Sequence, residues 1–256
     1  AGRTPSRRGL RIAVCPAHVI GCAGEKAEVM RGKWCIGCGH CGAVCPTGAL
    51  LHEATSCDGE SNQKTGPAAS PETLELLLRE RRSVRVYRKE PIPREVLMRV
   101  IDAGRFGPTG TNSQNVHYVA MTTPERISEL RKMTIRFYEK ILSRAEGKVG
   151  GLFLMMFAGR RTLEYLRESL PKFRFAHEQM ARGEDPLFYH APAILLAHAE
   201  SWDSSSPFNC SVALYHCSLM AHTLGLGCCF NGFLANAAQH DRKIKKDVLD
   251  NLVETS

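Results

Sequence analysis

The segment Cys35-Ile36-Gly37-Cys38-Gly39-His40-Cys41-Gly42-Ala43-Val44-Cys45-Pro46 has the cysteine spacing C-x2-C-x2-C-x3-C-P. In ferredoxin-like proteins this spacing wraps one loop around an iron–sulfur cluster, and the last cysteine ligates elsewhere. Soft thiolate ligands select iron–sulfur clusters or zinc, but a zinc ribbon needs two separated C-x2-C pairs. The segment therefore predicts an iron–sulfur cluster.

The fourth ligand is predicted from an internal repeat. Val14-Cys15-Pro16 repeats Val44-Cys45-Pro46, but the positions that would complete a second upstream motif are Pro5, Arg8 and Arg11. The expected ligands of a single [4Fe–4S] cluster are therefore Cys15, Cys35, Cys38 and Cys41. A second cluster is not expected, and Cys45 is left without one. Cys22 and Cys57 are alternative ligands in a rearranged site.

Size and composition indicate a globular protein from a reducing compartment. The 256 residues, 43% of them hydrophobic, suit one medium domain and one small domain. Cluster ligation implies reduced cysteines and a cytoplasmic location. An organellar matrix is the alternative, because residues 1–11 are basic and contain no acidic residue. No apolar run approaches the roughly 18 residues of a membrane span.

The net charge of +8 restricts the expected partners. No basic stripe interleaved with aromatic residues supports nucleic-acid binding. A basic surface suits phosphate cofactors and an acidic redox partner, such as a ferredoxin or flavodoxin.

Helical and strand patterns predict an α+β fold in which helices dominate. Ser70-Pro71 is a helix start, with Ser as N-cap and Pro in the first turn. The remaining predicted elements are helices at 93–105, 124–144, 152–170, 211–224 and 239–253, and strands at 117–121 and 193–198. The predicted organisation is a basic tail at 1–11, a ferredoxin-like domain at 12–56, a linker at 57–70 and a larger domain at 71–256.

Three further motifs lie in the larger domain. Arg81-Arg82-Ser83-Val84-Arg85 suits a phosphate clamp, although a solvated helix end has the same composition. Gly107-Pro108-Thr109-Gly110-Thr111-Asn112-Ser113-Gln114 is a turn of small residues and amides that can approach a planar ligand closely. Gly225-Leu226-Gly227-Cys228-Cys229-Phe230-Asn231-Gly232 follows a long apolar segment.

In order and spacing, these motifs resemble the nitroreductase family of FMN-dependent enzymes. The cysteine motif resembles the subgroup with a fused N-terminal [4Fe–4S] module. The resemblance implies an FMN-binding α/β sandwich. It also implies FMN contacts from Arg81, Arg82, Ser83, Arg85, Pro108, Thr109, Gly110, Asn112, Phe230, Asn231 and Gly232.

The implied activity is an oxidoreductase that passes electrons between the cluster, the flavin and a flat acceptor of the nitroaromatic or quinone type. The donor is NAD(P)H or a reduced ferredoxin, and no catalytic side chain is expected because the flavin carries the chemistry. The resemblance also implies a homodimer, in which the turn at Pro108–Asn112 covers the flavin of the other subunit.

The sequence departs from the family pattern at two places, of which the second leaves another interpretation open. Asn115 replaces a common proline, and the sequence ends at Ser256, where relatives usually continue into a further strand. The alternative is a degenerate ferredoxin-like electron carrier or iron–sulfur sensor without a working flavin site.

Overall fold

The helix start predicted at Ser70-Pro71 is confirmed in the computed structural model, which describes residues 14–23, 26–44, 69–147, 152, 155–156 and 159–250. The Ser70 hydroxyl accepts a hydrogen bond from the Thr73 N–H at 3.2 Å. Pro71 occupies the first turn, where a missing N–H is not needed. The basic tail at 1–11, Cys45, Cys57 and most of the linker lie outside the described residues.

The N-terminal module consists of a hairpin and the cysteine loop. Strands β1 (Ile20–Ala23) and β2 (Lys26–Val29) pair antiparallel, with Ile20 opposite Val29. A 3-10 turn at Gly32–Trp34 leads into the loop, and a single helical turn, α1 (His40–Ala43), follows it.

The larger domain follows with two strands and seven further helices among the described residues. They are α2 (Pro71–Glu80), α3 (Arg94–Gly104), β3 (His117–Met121), α4 (Pro124–Glu146), α5 (Arg160–Ala181), β4 (Ile194–His198), α6 (Ser206–Thr223), α7 (Gly232–His240) and α8 (Arg242–Asp250). None of the described helices is both long and apolar enough to cross a membrane.

Strands β3 and β4 lie between two layers of helices. They pair antiparallel from His117 opposite His198 to Met121 opposite Ile194. Alternate residues of each strand contact opposite layers: Val119 packs with α4, α5, α7 and α8, whereas Tyr118 packs with α3 and α6. This is the alternation expected of a sheet that is covered on both faces.

Three predicted boundaries differ from the structure. Helix α5 extends to Ala181 with Pro171 inside it, although proline usually ends a helix. Helix α6 begins at Ser206 rather than Ser211. The helix predicted at 239–253 begins only at Arg242, because the preceding Asp241 separates it from α7, a helix that was not predicted. The Asp241 carboxylate accepts the Lys243 N–H at 2.8 Å.

Packing between α3 and α6 predicts a stability effect at Gly104. A Cβ atom there would lie 2.8 Å from the Cys217 sulfur and would also meet the Tyr118 hydroxyl. We expect Gly104→Ala to lower the free energy of unfolding by about 1–3 kcal/mol, because overpacking displaces buried neighbours. Urea denaturation measures this. Gly147→Ala is the control, because its Cβ would lie at an ordinary 3.7 Å from the Ser143 carbonyl oxygen.

Candidate functional site

The four predicted cluster ligands lie around one cavity in the N-terminal module. Its lining includes Cys15, Cys35, Cys38 and Cys41, together with Ile36 and residues of the Cys15–Ile20 segment. Gly37 and Gly39 have φ angles of 64° and 70°, which let the loop fold back on itself at little steric cost. The structure thus brings the predicted ligands together, and the ligand set itself stays a prediction.

The backbone around Cys15 favours a thiolate. The Val19 N–H donates to the Cys15 sulfur at 3.2 Å. Burial acts to raise the pKa of this thiol, but the N–H groups of residues 17–20 outweigh it and lower the pKa below its ordinary value. Because the thiolate is the form that binds iron, Cys15 suits the role of fourth ligand. Among the described residues no three acidic, His or Cys side chains converge on a single metal ion, whereas a cluster holds its thiolates farther apart.

The arginine segment lies beside the glycine-rich segment after α6. The Val84 N–H donates to the Cys228 carbonyl oxygen at 3.0 Å, and Ser83 forms a parallel bridge with Cys228. Arg81 therefore projects next to the chain that leads to Phe230–Gly232. Two of the three predicted flavin-binding motifs are brought together by this pairing.

The arginines of this segment differ in their partners. The buried Nε of Arg81 has no hydrogen-bond partner, and its guanidinium lies 5.9 Å from the ring centroid of Tyr215. Arg85 lies 5.8 Å from the ring of Tyr189 and donates one long hydrogen bond, of 3.4 Å, to the Ser83 carbonyl oxygen. Arg82 instead donates to the carbonyl oxygens of Arg79 and Arg81 at the end of α2. A buried donor without a partner is costly, so Arg81 is the residue best suited to bind an anionic group.

The predicted contacts at Phe230, Asn231 and Gly232 fall on a helix start. The Asn231 side chain caps α7 by accepting the Leu234 N–H at 2.9 Å, and it donates to the Leu187 carbonyl oxygen at 2.8 Å. Both polar atoms of the Asn231 side chain are therefore hydrogen-bonded within the protein. A ligand at this turn would be bound by the backbone instead. Gly232 has open space where a side chain would stand, and Phe230 is half exposed.

The turn with Pro108, Thr109, Gly110 and Asn112 is anchored to the start of α6. The side-chain oxygen of buried Asn209 accepts the Gly110 N–H at 3.0 Å. Asn209 also lies within hydrogen-bond distance of Asn115, which donates to Asp203 at 3.0 Å. The residue that departs from the family pattern thus belongs to the network supporting the turn. Sequence reasoning missed Asn209, whose only signal was a glycosylation-like Asn209-Cys210-Ser211 motif.

The turn and the glycine-rich motif of the same chain are attached at different points along α6. The turn is held at Asn209, whereas the Cys228 sulfur contacts the Ser218 carbonyl oxygen farther along α6. At 1.5 Å per residue, these two points are about 14 Å apart. The turn instead contacts the cluster loop, where the Asn112 side-chain amide donates to the Ile36 carbonyl oxygen at 3.0 Å.

Comparison with known proteins shows which family the larger domain belongs to. A model of the nitroreductase family matches residues 78–250. The chain belongs to the nitroreductase family. A model described as a 4Fe-4S binding domain matches residues 33–51, which contain the cysteine motif. The predicted family, with its fused iron–sulfur module, is therefore confirmed.

Solved structures of low sequence identity are similar to this chain. A BluB-like flavoprotein from Clostridium difficile is 17% identical, with a TM-score of 0.50, over 72% of this chain and 83% of its own. A nitroreductase with bound FMN from Bacteroides fragilis is 22% identical, with a TM-score of 0.49, over 71% of this chain and 80% of its own. No curated protein matches. The predicted nitroreductase-like α+β fold is confirmed.

The ligand set predicts the outcome of removing single cysteines. We expect about four iron atoms per chain in the intact protein. Cys15→Ala should lose iron, because the cavity then has three thiolates, whereas Cys45→Ala should retain it. Iron and sulfide assays after anaerobic purification measure this. About eight iron atoms, or the reverse order of the two variants, would contradict the assignment.

Proposed function

We propose that the protein is an FMN- and [4Fe–4S]-containing oxidoreductase that passes electrons between the cluster, the flavin and a flat electrophilic acceptor. The acceptor class is a nitroaromatic or a quinone. The observation that carries this proposal is the buried, unpartnered Nε of Arg81 beside the Cys228–Gly232 segment, within a nitroreductase-family domain. FMN supplies two-electron chemistry and the cluster supplies single electrons.

The FMN phosphate is assigned to the arginine segment. Arg81 and Arg85 offer charge-assisted hydrogen bonds, which are stronger than neutral ones. The rings of Tyr215 and Tyr189 lie against these two guanidiniums and restrict where they point. The Ser83 hydroxyl completes this part of the site. Arg82 is a weaker contact, because its guanidinium already binds backbone carbonyl oxygens.

The flavin ring is assigned to the turn at the start of α7. Gly232 leaves open space there, and the half-exposed ring of Phe230 offers an apolar surface. Because the Asn231 side chain is committed to its cap, hydrogen bonds to the flavin come from backbone N–H groups of this turn. The acceptor then stacks on the exposed flavin face, which selects for flat molecules.

A homodimer completes the pocket in this proposal. Helix α6 carries apolar residues on all sides, and such helices are normally buried. Ala213 and Cys217 are buried on one side, but Phe208 is 74% exposed and Tyr215 is 38% exposed on another. A second copy that packs on this face also brings Pro108, Thr109, Gly110 and Asn112 towards the partner's arginine segment.

An acidic ferredoxin or flavodoxin is the proposed electron donor to the cluster, and NAD(P)H is the alternative donor to the flavin. Beside exposed Cys35, the module presents Trp34, which is 59% exposed, with the Arg31 guanidinium 5.3 Å from its ring centroid. Lys33 adds a second positive charge. An apolar centre with a basic rim suits brief docking of an acidic electron carrier.

The first prediction from this proposal is that FMN affinity depends on the Arg81 side chain. We expect Arg81→Ala to weaken FMN binding about tenfold to a hundredfold, because a charge-assisted contact contributes roughly 1.5–3 kcal/mol. Titration of the FMN-free protein by flavin fluorescence measures this. Arg82→Ala is the matched control and should have a smaller effect. Equal FMN affinity in the wild-type and Arg81→Ala proteins would show that the arginine segment is only a solvated helix end. No flavin absorbance in the purified wild-type protein would instead favour the carrier or sensor interpretation.

The exposed face of α6 predicts the assembly state. We expect Phe208→Glu to yield monomers that lose FMN, because a buried charge opposes the interface and each pocket needs both chains. Sedimentation at micromolar concentration measures assembly and flavin content together. Phe175→Glu is the control, because Phe175 is an exposed phenylalanine of α5. A monomer with a full complement of FMN would contradict the shared pocket.

A further inference from the structure

The turn at 108–114 has an unusually strained backbone. Thr111, Asn112 and Gln114 have φ angles of 51°, 57° and 49°, in the left-handed region. This region is unfavourable for residues other than glycine, and most of all for a β-branched residue such as Thr111. Such conformations persist only where surrounding contacts hold them, and they concentrate at functional sites.

One of the contacts that hold this turn comes from the cluster module. The Asn112 amide group donates to the Ile36 carbonyl oxygen at 3.0 Å, and its side-chain oxygen accepts from Gln114 at 3.2 Å. Ile36 lies between Cys35 and Cys38 and lines the same cavity as the cysteines. A cluster bound by these cysteines would therefore hold the loop that carries this carbonyl group.

We infer that Asn112 is a positioning residue that couples the two cofactor sites. A bound cluster fixes the Ile36 carbonyl group, Asn112 transmits that position to the strained turn, and the turn in this conformation completes the flavin pocket. The inference rests on the proposed function. It assigns Asn112 to the cluster loop, whereas the family resemblance implies a contact with the flavin.

The coupling acts between the two subunits, and it works in both directions. In the proposed dimer the turn of one chain faces the arginine segment of the other, so the cluster of one subunit acts on FMN bound by the arginine segment of its partner. Coupling between two binding sites is reciprocal. Bound FMN therefore slows loss of iron from the cluster of the subunit that supplies the turn.

The experiment is a double-mutant cycle on FMN affinity. FMN dissociation constants are measured for the wild-type protein, cluster-free Cys38→Ala, Asn112→Ala and the double variant. We expect Cys38→Ala and Asn112→Ala each to weaken binding about tenfold, and the double variant to be no weaker than either. Multiplied losses in the double variant, or an affinity that is the same with and without the cluster, would overturn the inference.

A matched control separates this contact from general disturbance of the turn. Gln114→Ala removes the other hydrogen bond of the Asn112 side chain but leaves its contact with Ile36, so FMN affinity should still depend on the cluster. Hydrogen exchange gives a readout independent of flavin. The amides of Asn112 and Ser113, which donate to the carbonyl oxygens of Thr109 and Gly110, should exchange faster in Cys38→Ala and Asn112→Ala. Unchanged exchange in both variants would contradict the inference.

Failure of the proposed function has a different signature. If the wild-type protein with its cluster binds no FMN, the proposed function is wrong and the coupling falls with it. If FMN binds with the same affinity in all four proteins, the proposed function stands and only the coupling is wrong.

Discussion

Close packing between α3 and α6 is the constraint on which the candidate site depends. Gly104 and Gly107 let the end of α3 approach the small residues Ala213 and Cys217 of α6. A Cβ atom on Gly107 would lie 3.3 Å from backbone atoms of Ala213, so a larger residue would force the helices apart. Every functional segment of the larger domain is then attached to α6.

These contacts fix the position of each flavin-binding segment along α6. Asn209 holds the turn at one end of α6, Tyr215 lies against Arg81 in the middle, and Ser218 contacts Cys228 farther along. A helix is rigid over this length, so the separation is not removed by local adjustment. The same rigidity makes each half-site well defined, which is what a pocket shared between two copies requires.

The sequence predicted elements whose signals are local. The N-cap at Ser70 and the strands at 117–121 and 193–198 were readable, because each depends on spacing or on a single strong cap. The pairing of the arginine segment with Cys228 was not predicted, because it joins residues that are far apart in the sequence. Helix α7 was missed because its cap, Asn231, lies within the segment that was interpreted as a flavin-binding turn. Asn209 was missed because its sequence motif is typical of exposed residues, whereas in the fold it is buried and binds the Gly110 N–H. Burial depends on tertiary packing, which the local sequence does not reveal.

Position 112 requires both a left-handed backbone conformation and a side-chain N–H donor, and asparagine provides both. Asparagine tolerates the left-handed region better than most residues, and its amide group supplies the donor that reaches Ile36. Glycine would satisfy the backbone without the donor, and aspartate would keep the acceptor for Gln114 but lose the donor. A need for the backbone conformation alone would be met best by glycine. Glycine and aspartate both lack the side-chain N–H donor. The link between the cluster loop and the flavin pocket therefore depends on the amide group of Asn112, and not only on the backbone conformation of the turn.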